Sequence, residues 1–275
     1  MKNKKYRMII ILGSAVLLLA LIFYIAWGNT ALELNTYTVT GESLPEVFDG
    51  FRIVQISDLH NAEFGKNNEK LLALIKESKP NIIVITGDMI DERTDVNISL
   101  RFAEEAVKIA PCYYVTGNHE HRIPKDYEKL KNGLLSFGVT VLENARTEIE
   151  YKGETVTLIG VNDPVFGVKV DSSLKKLKSQ DDGYTILLSH RPELFDTYVE
   201  NEINLVFTGH AHGGQFRLPW IGGLYAPHQG IFPEYDGGLY TDGNTNMIVS
   251  RGIGKSAFPF RFNNRPNVVL VELQA

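Results

Sequence analysis

The chain has 275 residues, 44% hydrophobic and 22% charged, so it is long enough to bury a substantial core. Its net charge of −5 argues against a nucleic-acid-binding surface, which is normally basic. A single cysteine, Cys112, excludes an intramolecular disulfide framework and, opening an apolar segment, reads as a small buried hydrophobe.

Residues 8–27 are uncharged and almost wholly apolar. A helix of that length, rising about 1.5 Å per residue, crosses the roughly 30 Å of hydrocarbon in a bilayer. Lys2, Lys4, Lys5 and Arg7 precede it, and no Lys or Arg follows until Arg52. The positive-inside rule keeps such an N-terminus in the cytoplasm and exports the rest. The competing reading is a cleaved signal peptide, but the apolar stretch is long for one and Ala26-Trp27-Gly28 is a poor small-x-small cleavage site. The expected organisation is a basic cytoplasmic segment 1–7, a signal anchor 8–27, a connector 28–50 and one domain over 51–275. Without the four leading cations, 24 Lys+Arg stand against 33 Asp+Glu, a charge of 24 − 33 = −9.

From residue 51 the pattern alternates. Strands are expected at 51–57, 81–86 and 112–116, with helices at about 67–78, 97–109 and 126–137; Leu71, Leu72, Leu74 and Ile75 form one helical face. This βαβαβ order implies parallel strands with functional residues at their carboxyl ends. Lys152-Gly153-Glu154 between two alternating runs reads as a hairpin. A helix at 172–179, a strand at 184–189, a helix at 192–200 and a strand at 203–208 follow. The last third is rich in Gly, Pro and aromatics, with strands expected at 246–250 and 267–273. Two packed sheets flanked by helices would bring the strand ends to one edge.

Five of those apolar runs stop at a metal-binding or proton-transferring residue. They end at Asp58-Leu-His60, Gly87-Asp88, Gly117-Asn118-His119-Glu120, His190 and Gly209-His210-Ala-His212. Together they offer a mixed oxygen and nitrogen donor set suited to two divalent cations. A single Asp-x-His or Gly-Asp is weak evidence; all five in order, each after a strand-like run, are strong evidence. His210 and His212 would point the same way on an extended strand, whereas a turn after Gly209 would send them to separate ions.

In order and chemistry these motifs resemble those of the calcineurin-like metallophosphoesterases, and with the apolar start and Gly-rich tail the chain is similar to a membrane-anchored bacterial branch that includes UDP-2,3-diacylglucosamine hydrolase-like phosphodiesterases. The resemblance implies a four-layer α-β-β-α sandwich with two mixed sheets behind one transmembrane helix. It implies one metal held by Asp58, His60, Asp88 and His212, and a second held by Asp88, Asn118, His190 and His210. The ions would be manganese, iron or zinc. His119 would act on the leaving group without binding metal, oriented by Asp91 in the Gly-Asp-x-x-Asp pattern; capping of the following segment is the alternative for Asp91. The phosphoprotein phosphatases carry an Arg directly after that second Asp, where Glu92 stands here and Arg93 is offset by one.

The expected activity is hydrolysis of a phosphodiester or pyrophosphate bond in a nucleotide- or lipid-linked substrate. A phosphomonoesterase and a non-catalytic metal-binding envelope scaffold are the alternatives. The expected partners are a phosphoester substrate and the membrane. Glu120 reads as structural, and His121 as a solvated loop residue. His228 lies in a turn-rich stretch that can overhang the site. Arg191 clamps phosphate or pairs with Glu193, Asp163 sits in a turn, and Arg251-Gly-Ile-Gly254 is a weak phosphate-loop candidate. Phe258-Pro-Phe-Arg-Phe262 is core or touches lipid.

The charge flank makes the topology testable. A reporter fused after Ala275 should behave as exported, and the full-length protein should stay with membranes after a high-salt wash. A cytoplasmic reporter signal overturns the orientation, and a soluble form starting near residue 28 shows cleavage instead.

Overall fold

A computed structural model of the chain describes residues 2–180, 182–255 and 258–275; residue 1 of the basic N-terminal segment lies outside the described residues. Helix α1 (Lys2–Gly28) runs straight through the basic segment and the apolar span, and none of its most apolar stretch is buried. Strand β1 (Glu33–Thr40) follows, so part of the stretch read as a connector belongs to the fold. Its sequence gave little sign of this because β1 is an edge strand whose residues are mostly half-exposed and polar.

The next elements are β2 (Arg52–Ile56), α2 (Glu69–Glu77), β3 (Ile82–Thr86), α3 (Asn97–Ala106), β4 (Cys112–Val115), α4 (Asn118–Arg122), α5 (Pro124–Phe137) and β5 (Thr140–Val141). With β16 (Asn267–Gln274) inserted between β1 and β2, they form a six-stranded sheet of order β1-β16-β2-β3-β4-β5. Strands β2 to β5 are mutually parallel, as the alternation of strands and helices requires, and β16 is antiparallel to β2.

The second sheet takes β6 (Ala145–Tyr151), β7 (Glu154–Gly160), β8 (Thr185–Leu188), β9 (Leu205–Thr208), β14 (Gly238–Asp242) and β15 (Thr245–Val249) in the order β14-β15-β9-β8-β7-β6. Helices α6 (Val170–Leu177) and α7 (Phe195–Glu200) serve its outer face. Two short hairpins, β10–β11 (Arg217–Leu218, Gly222–Gly223) and β12–β13 (Tyr225–Ala226, Gly230–Ile231), project between β9 and β14.

Alternation along the strands builds the layers. Ile53, Val84 and Val115 of the first sheet meet Leu158, Ile186 and Phe207 of the second in one buried cluster. Their neighbours Val54, Ile83 and Ile85 face the other way, onto Leu71, Ile75, Phe102 and Leu130 of the helices. On the far side Leu187 and Val206 pack on Leu174 and Tyr198. With both faces covered, β2, β3, β8 and β9 read as nearly unbroken apolar runs. Each fully buried Val, Leu or Ile contributes about 1.5–3 kcal/mol. The architecture is an α/β fold with two mixed sheets between helices, as the resemblance implies.

One buried polar residue breaks the apolar run of β2 and ties the sheets together. The Gln55 carboxamide donates to Thr86 Oγ1 (2.9 Å) in β3 and to the Thr208 carbonyl (2.7 Å) in β9. Both acceptors lie at the last residues of strands that carry the motifs. Gln55→Leu should therefore cost about 0.5–1.5 kcal/mol for each of the two bonds lost, since the Thr208 carbonyl keeps the Ser250 N–H (2.9 Å). Chemical denaturation of the full chain in detergent checks this, and an unchanged midpoint would show that the inter-sheet bond contributes nothing.

Candidate metal centre

The five motifs meet where β2, β3, β4, β8 and β9 end, with Asp58, Asp88, Asn118, His190 and His210 all buried. Turning the chain sharply there has a conformational cost. Asp58, His60, Asp88, His210 and His212 adopt φ between 47° and 64°, a left-handed conformation that costs a non-glycine residue about 1–2 kcal/mol. The glycines of the motifs are needed for close approach. A Cβ on Gly87 would strike the Gly117 backbone, and one on Gly209 would strike Ser57 Oγ and Asp58 Oδ2.

The side chains fall into two groups that share Asp88. In the first, His212 Nε2 lies 3.1 Å from Asp58 Oδ1. His60 Nε2 lies 3.3 Å from His212 Nε2 and 3.7 Å from Asp88 Oδ2. In the second, His190 Nε2 lies 3.4 Å from the same Asp88 Oδ2 and 3.2 Å from His210 Nδ1. Donors at about 2.0–2.2 Å from one cation stand roughly 3–3.5 Å apart on neighbouring vertices, so these spacings fit coordination. The backbone turns at His210 and His212 and sends them apart, His210 toward His190 and His212 toward Asp58 and His60.

The residues fit divalent cations on a further observation. Asn118 Oδ1 is buried with no hydrogen-bond partner, a costly state for a carboxamide oxygen unless a cation completes it. His190 Nδ1 stands 2.7 Å from the Thr86 carbonyl, which fixes a proton on Nδ1 and leaves Nε2 facing Asp88.

Electrostatics point the same way. Burial opposes a charged His190, yet the adjoining Asp88 carboxylate outweighs it and pushes this imidazole up to about 10. Burial likewise opposes an ionised Asp88, but the His190 imidazole beside it holds it well below the usual carboxylate range. His60, where burial dominates, is pushed down to about 3, and burial with the positive His190 and Arg191 drives His210 well below its ordinary value. Asp88 thus draws positive charge into a cleft where His60 and His210 stay neutral, the state in which imidazole ligates metal.

His119 stands beside this set. Its backbone N–H donates to Asp88 Oδ1 (2.8 Å), and its Nε2 lies 4.0 Å from Asp88 Oδ2 and 3.1 Å from Arg122 Nη1. Its Nδ1 faces Glu92 Oε2 at 3.4 Å and Asp91 Oδ2 at 3.6 Å. Asp91 Oδ2 is also 3.6 Å from His60 Nδ1, so it sits equally near both rings. Its short bonds are to Arg93: the backbone N–H at 2.9 Å and the guanidinium at 2.8 and 2.7 Å. Asp91 therefore both caps the following turn and lies behind His119. Glu120 is a buried clamp that accepts from the Asp88, Met89 and Gly117 N–H groups, and burial with the Asp88 charge pushes it up to about 7.

Several neighbours were not legible in the sequence. Arg191 forms a two-pronged ion pair with Asp163, and its Nη1 reaches His210 Nε2 (2.8 Å) and His228 Nδ1 (2.7 Å), with Glu193 only a weak partner at 3.4 Å. The only available signal was an Arg adjoining one ligand and an Asp-Pro turn. His228 does overhang the site, 3.0 Å from His210 Nε2. Arg261, inside the aromatic segment, is buried with its guanidinium 3.4 Å from His212 Nδ1. Gly252 and Gly254 serve as packing: a Cβ on either would strike Asp58 or Leu59, and the Gly254 N–H donates to the Asp58 carbonyl (2.7 Å). His121 packs edge-on against Phe166. A cleft of about 260 Å³ opens over Asp88, Asn118 and His119, and a cavity of about 580 Å³ adjoins His60 and Asp91 on the other side.

Comparison with known proteins agrees with this geometry. The family model for calcineurin-like phosphoesterases matches residues 51–214. The chain is 30% identical to the uncharacterized metallophosphoesterase YkuE of Bacillus subtilis over 89% of this chain and 86% of the relative. It is 29% identical to the phosphodiesterase YaeI of Escherichia coli over 81% and 82%. A Danio rerio transmembrane protein with a metallophosphoesterase domain is 28% identical over 85% of this chain and 55% of its own length.

If Asp88 is shared as its position implies, the full-length protein should bind about two divalent ions per chain. Asp88→Asn should weaken both by more than the roughly 10–100-fold that loss of an orienting partner costs. Elemental analysis returning one ion or none under metal-replete conditions counts against the shared-ligand arrangement.

Proposed function

The chain belongs to the calcineurin-like phosphoesterase family, and on that premise we propose that it is a membrane-anchored hydrolase of phosphodiester or pyrophosphate bonds that works with two divalent cations. Asp58, His60, Asp88 and His212 would hold one, and Asp88, Asn118, His190 and His210 the other. The observation that carries this reading is the buried, unpartnered Asn118 oxygen in the same cleft as a carboxylate whose Oδ2 two imidazole groups face. Manganese, iron and zinc all suit such donors. When bound, a pair of these ions supplies an activated water and offsets charge on the phosphoryl oxygens.

The protein's own residues do the rest. His119 borders the cleft without belonging to either donor group, placed to give a proton to the departing oxygen. Asp91 and Glu92 lie behind its Nδ1 at 3.6 and 3.4 Å, on the side where an orienting partner stands. A metal-binding scaffold has no use for a histidine so placed. Glu92 also favours a diester over a monoester, since a dianionic phosphate meets more repulsion from this carboxylate than a monoanionic one. Arg93, the nearest substitute for a phosphate-gripping arginine, is turned onto Asp91. The phosphodiesterase name of the Escherichia coli relative supports the same choice. The exposed apolar α1 and the transmembrane relative from Danio rerio support a catalytic domain held at a membrane.

The role of His119 separates from metal binding. His119→Ala should keep both ions and the fold, and should slow a diester with a poor leaving group by roughly 10²–10⁴. The loss should be smaller with p-nitrophenol, whose stable anion needs less protonation. Asp91→Asn should give a milder loss in the same direction and also loosen the ion near His60, because one carboxylate faces both rings. Equal losses across leaving groups would point to charge stabilisation, and loss of metal from His119→Ala would refute the assignment.

A further inference from the structure

The apolar helix α1 is tied at its exit to loops of the catalytic domain. The Arg265 guanidinium lies over the Trp27 ring, 4.9 Å from its centroid. The Asn29 carboxamide donates to the Arg261 carbonyl (2.9 Å) and accepts from the Arg261 N–H (2.7 Å). The Tyr24 hydroxyl donates to Asn263 Oδ1 (3.0 Å), and Asn263 Nδ2 donates to the Arg217 carbonyl (3.3 Å) at the start of β10. Tyr24 and Trp27 close the apolar span, where amphipathic rings settle at the boundary between water and hydrocarbon. Through Asn263, the base of the β10–β11 hairpin is held at that same level.

The tip of this hairpin carries Trp220, 103% exposed, and Ile221, 62% exposed. Ile231 and Phe232, at 69% and 58%, project beside it, and the Phe232 N–H donates to the Leu224 carbonyl (2.9 Å). Phe258 and Phe260 stand on Phe216 with ring centroids 5.3 and 5.4 Å apart and stay partly exposed. Large apolar side chains gathered this way on a surface mark an interaction site.

We propose that this loop cluster is a second membrane contact, which inserts into the surface of the bilayer that α1 crosses. The inference rests on reading α1 as a membrane anchor. Continuity with α1 commits the occupant to lipid, because segment 258–265 and, through Asn263, the base of the β10–β11 hairpin are tied to the point where that helix leaves the hydrocarbon. The contact is apolar and not electrostatic: residues after the anchor carry a net charge of 24 − 33 = −9, which disfavours attraction to anionic lipid. Segment 258–265 also carries Arg261 beside His212, so docking fixes the height and tilt of the metal cleft over the bilayer.

The chain has two tryptophans, Trp27 and Trp220, which makes the test direct. Trp27→Phe leaves Trp220 as sole reporter of the loops, and Trp220→Phe leaves Trp27 as reporter of the anchor. Both full-length variants are reconstituted in phosphatidylcholine–phosphatidylglycerol vesicles with and without brominated acyl chains. The expected result is that bromolipid removes most of the emission of each tryptophan, equally at low and high salt. A quenched Trp27 with an unquenched, iodide-accessible Trp220 overturns the docking and leaves the anchor standing. Two unquenched tryptophans overturn the anchor and the docking with it. A Trp220 that is shielded from iodide but insensitive to bromine, increasingly so as the protein-to-lipid ratio rises, shows contact with a second copy of the chain and also overturns the proposal.

Discussion

The carboxylate of Asp88 is the point on which the centre depends. One oxygen accepts the His119 N–H, and the other faces both His60 and His190. Burying this anion would be unfavourable by itself, and the surrounding imidazole groups offset it only in part. The arrangement is one in which negative charge has been concentrated and water largely removed, with lone pairs converging on it. Such a concentration of oxygen and nitrogen donors around negative charge suits divalent cations.

The scaffold is built to tolerate that cost. Five of the candidate metal-binding residues sit in left-handed backbone at the ends of strands whose interiors are closely packed. The packing over-determines the turns, so the local strain is sustained by the two cores and not by the turns themselves. Glu120 is part of this support: its buried carboxylate gathers the N–H groups of Asp88, Met89 and Gly117 and locks the ends of β3 and β4 together. Gln55 does the same between the two sheets.

The two sides of the centre differ in character. Around His210 the wall is charged and ordered, with Arg191 paired to Asp163 and reaching both His210 and His228. Around His60 it opens into the larger cavity, whose lining runs from Asp91 to Asn29 and Thr30 at the exit of α1. A single asparagine at that exit bonds in both directions to the backbone of Arg261, so α1, the aromatic segment and the candidate metal centre are joined by a short run of polar contacts.

The apolar strands, the helical faces and the five motif ends were all legible in the sequence, because period, turn residues and ligand chemistry are local properties. The same holds for α1, whose length and lack of charge do not depend on any partner. The family and the fold followed from the resemblance those motifs carry, which also implies two metal sites among Asp58, His60, Asp88, Asn118, His190, His210 and His212. Edge strand β1 was hidden, since an edge needs no continuous apolar run. The Arg191–Asp163 pair and the burial of Arg261 beside His212 were hidden for a different reason: they join residues far apart in the chain. Which way each side chain turns at a strand end, and what lies opposite it, is decided only when two sheets, their helices and the loops between them occupy the same space.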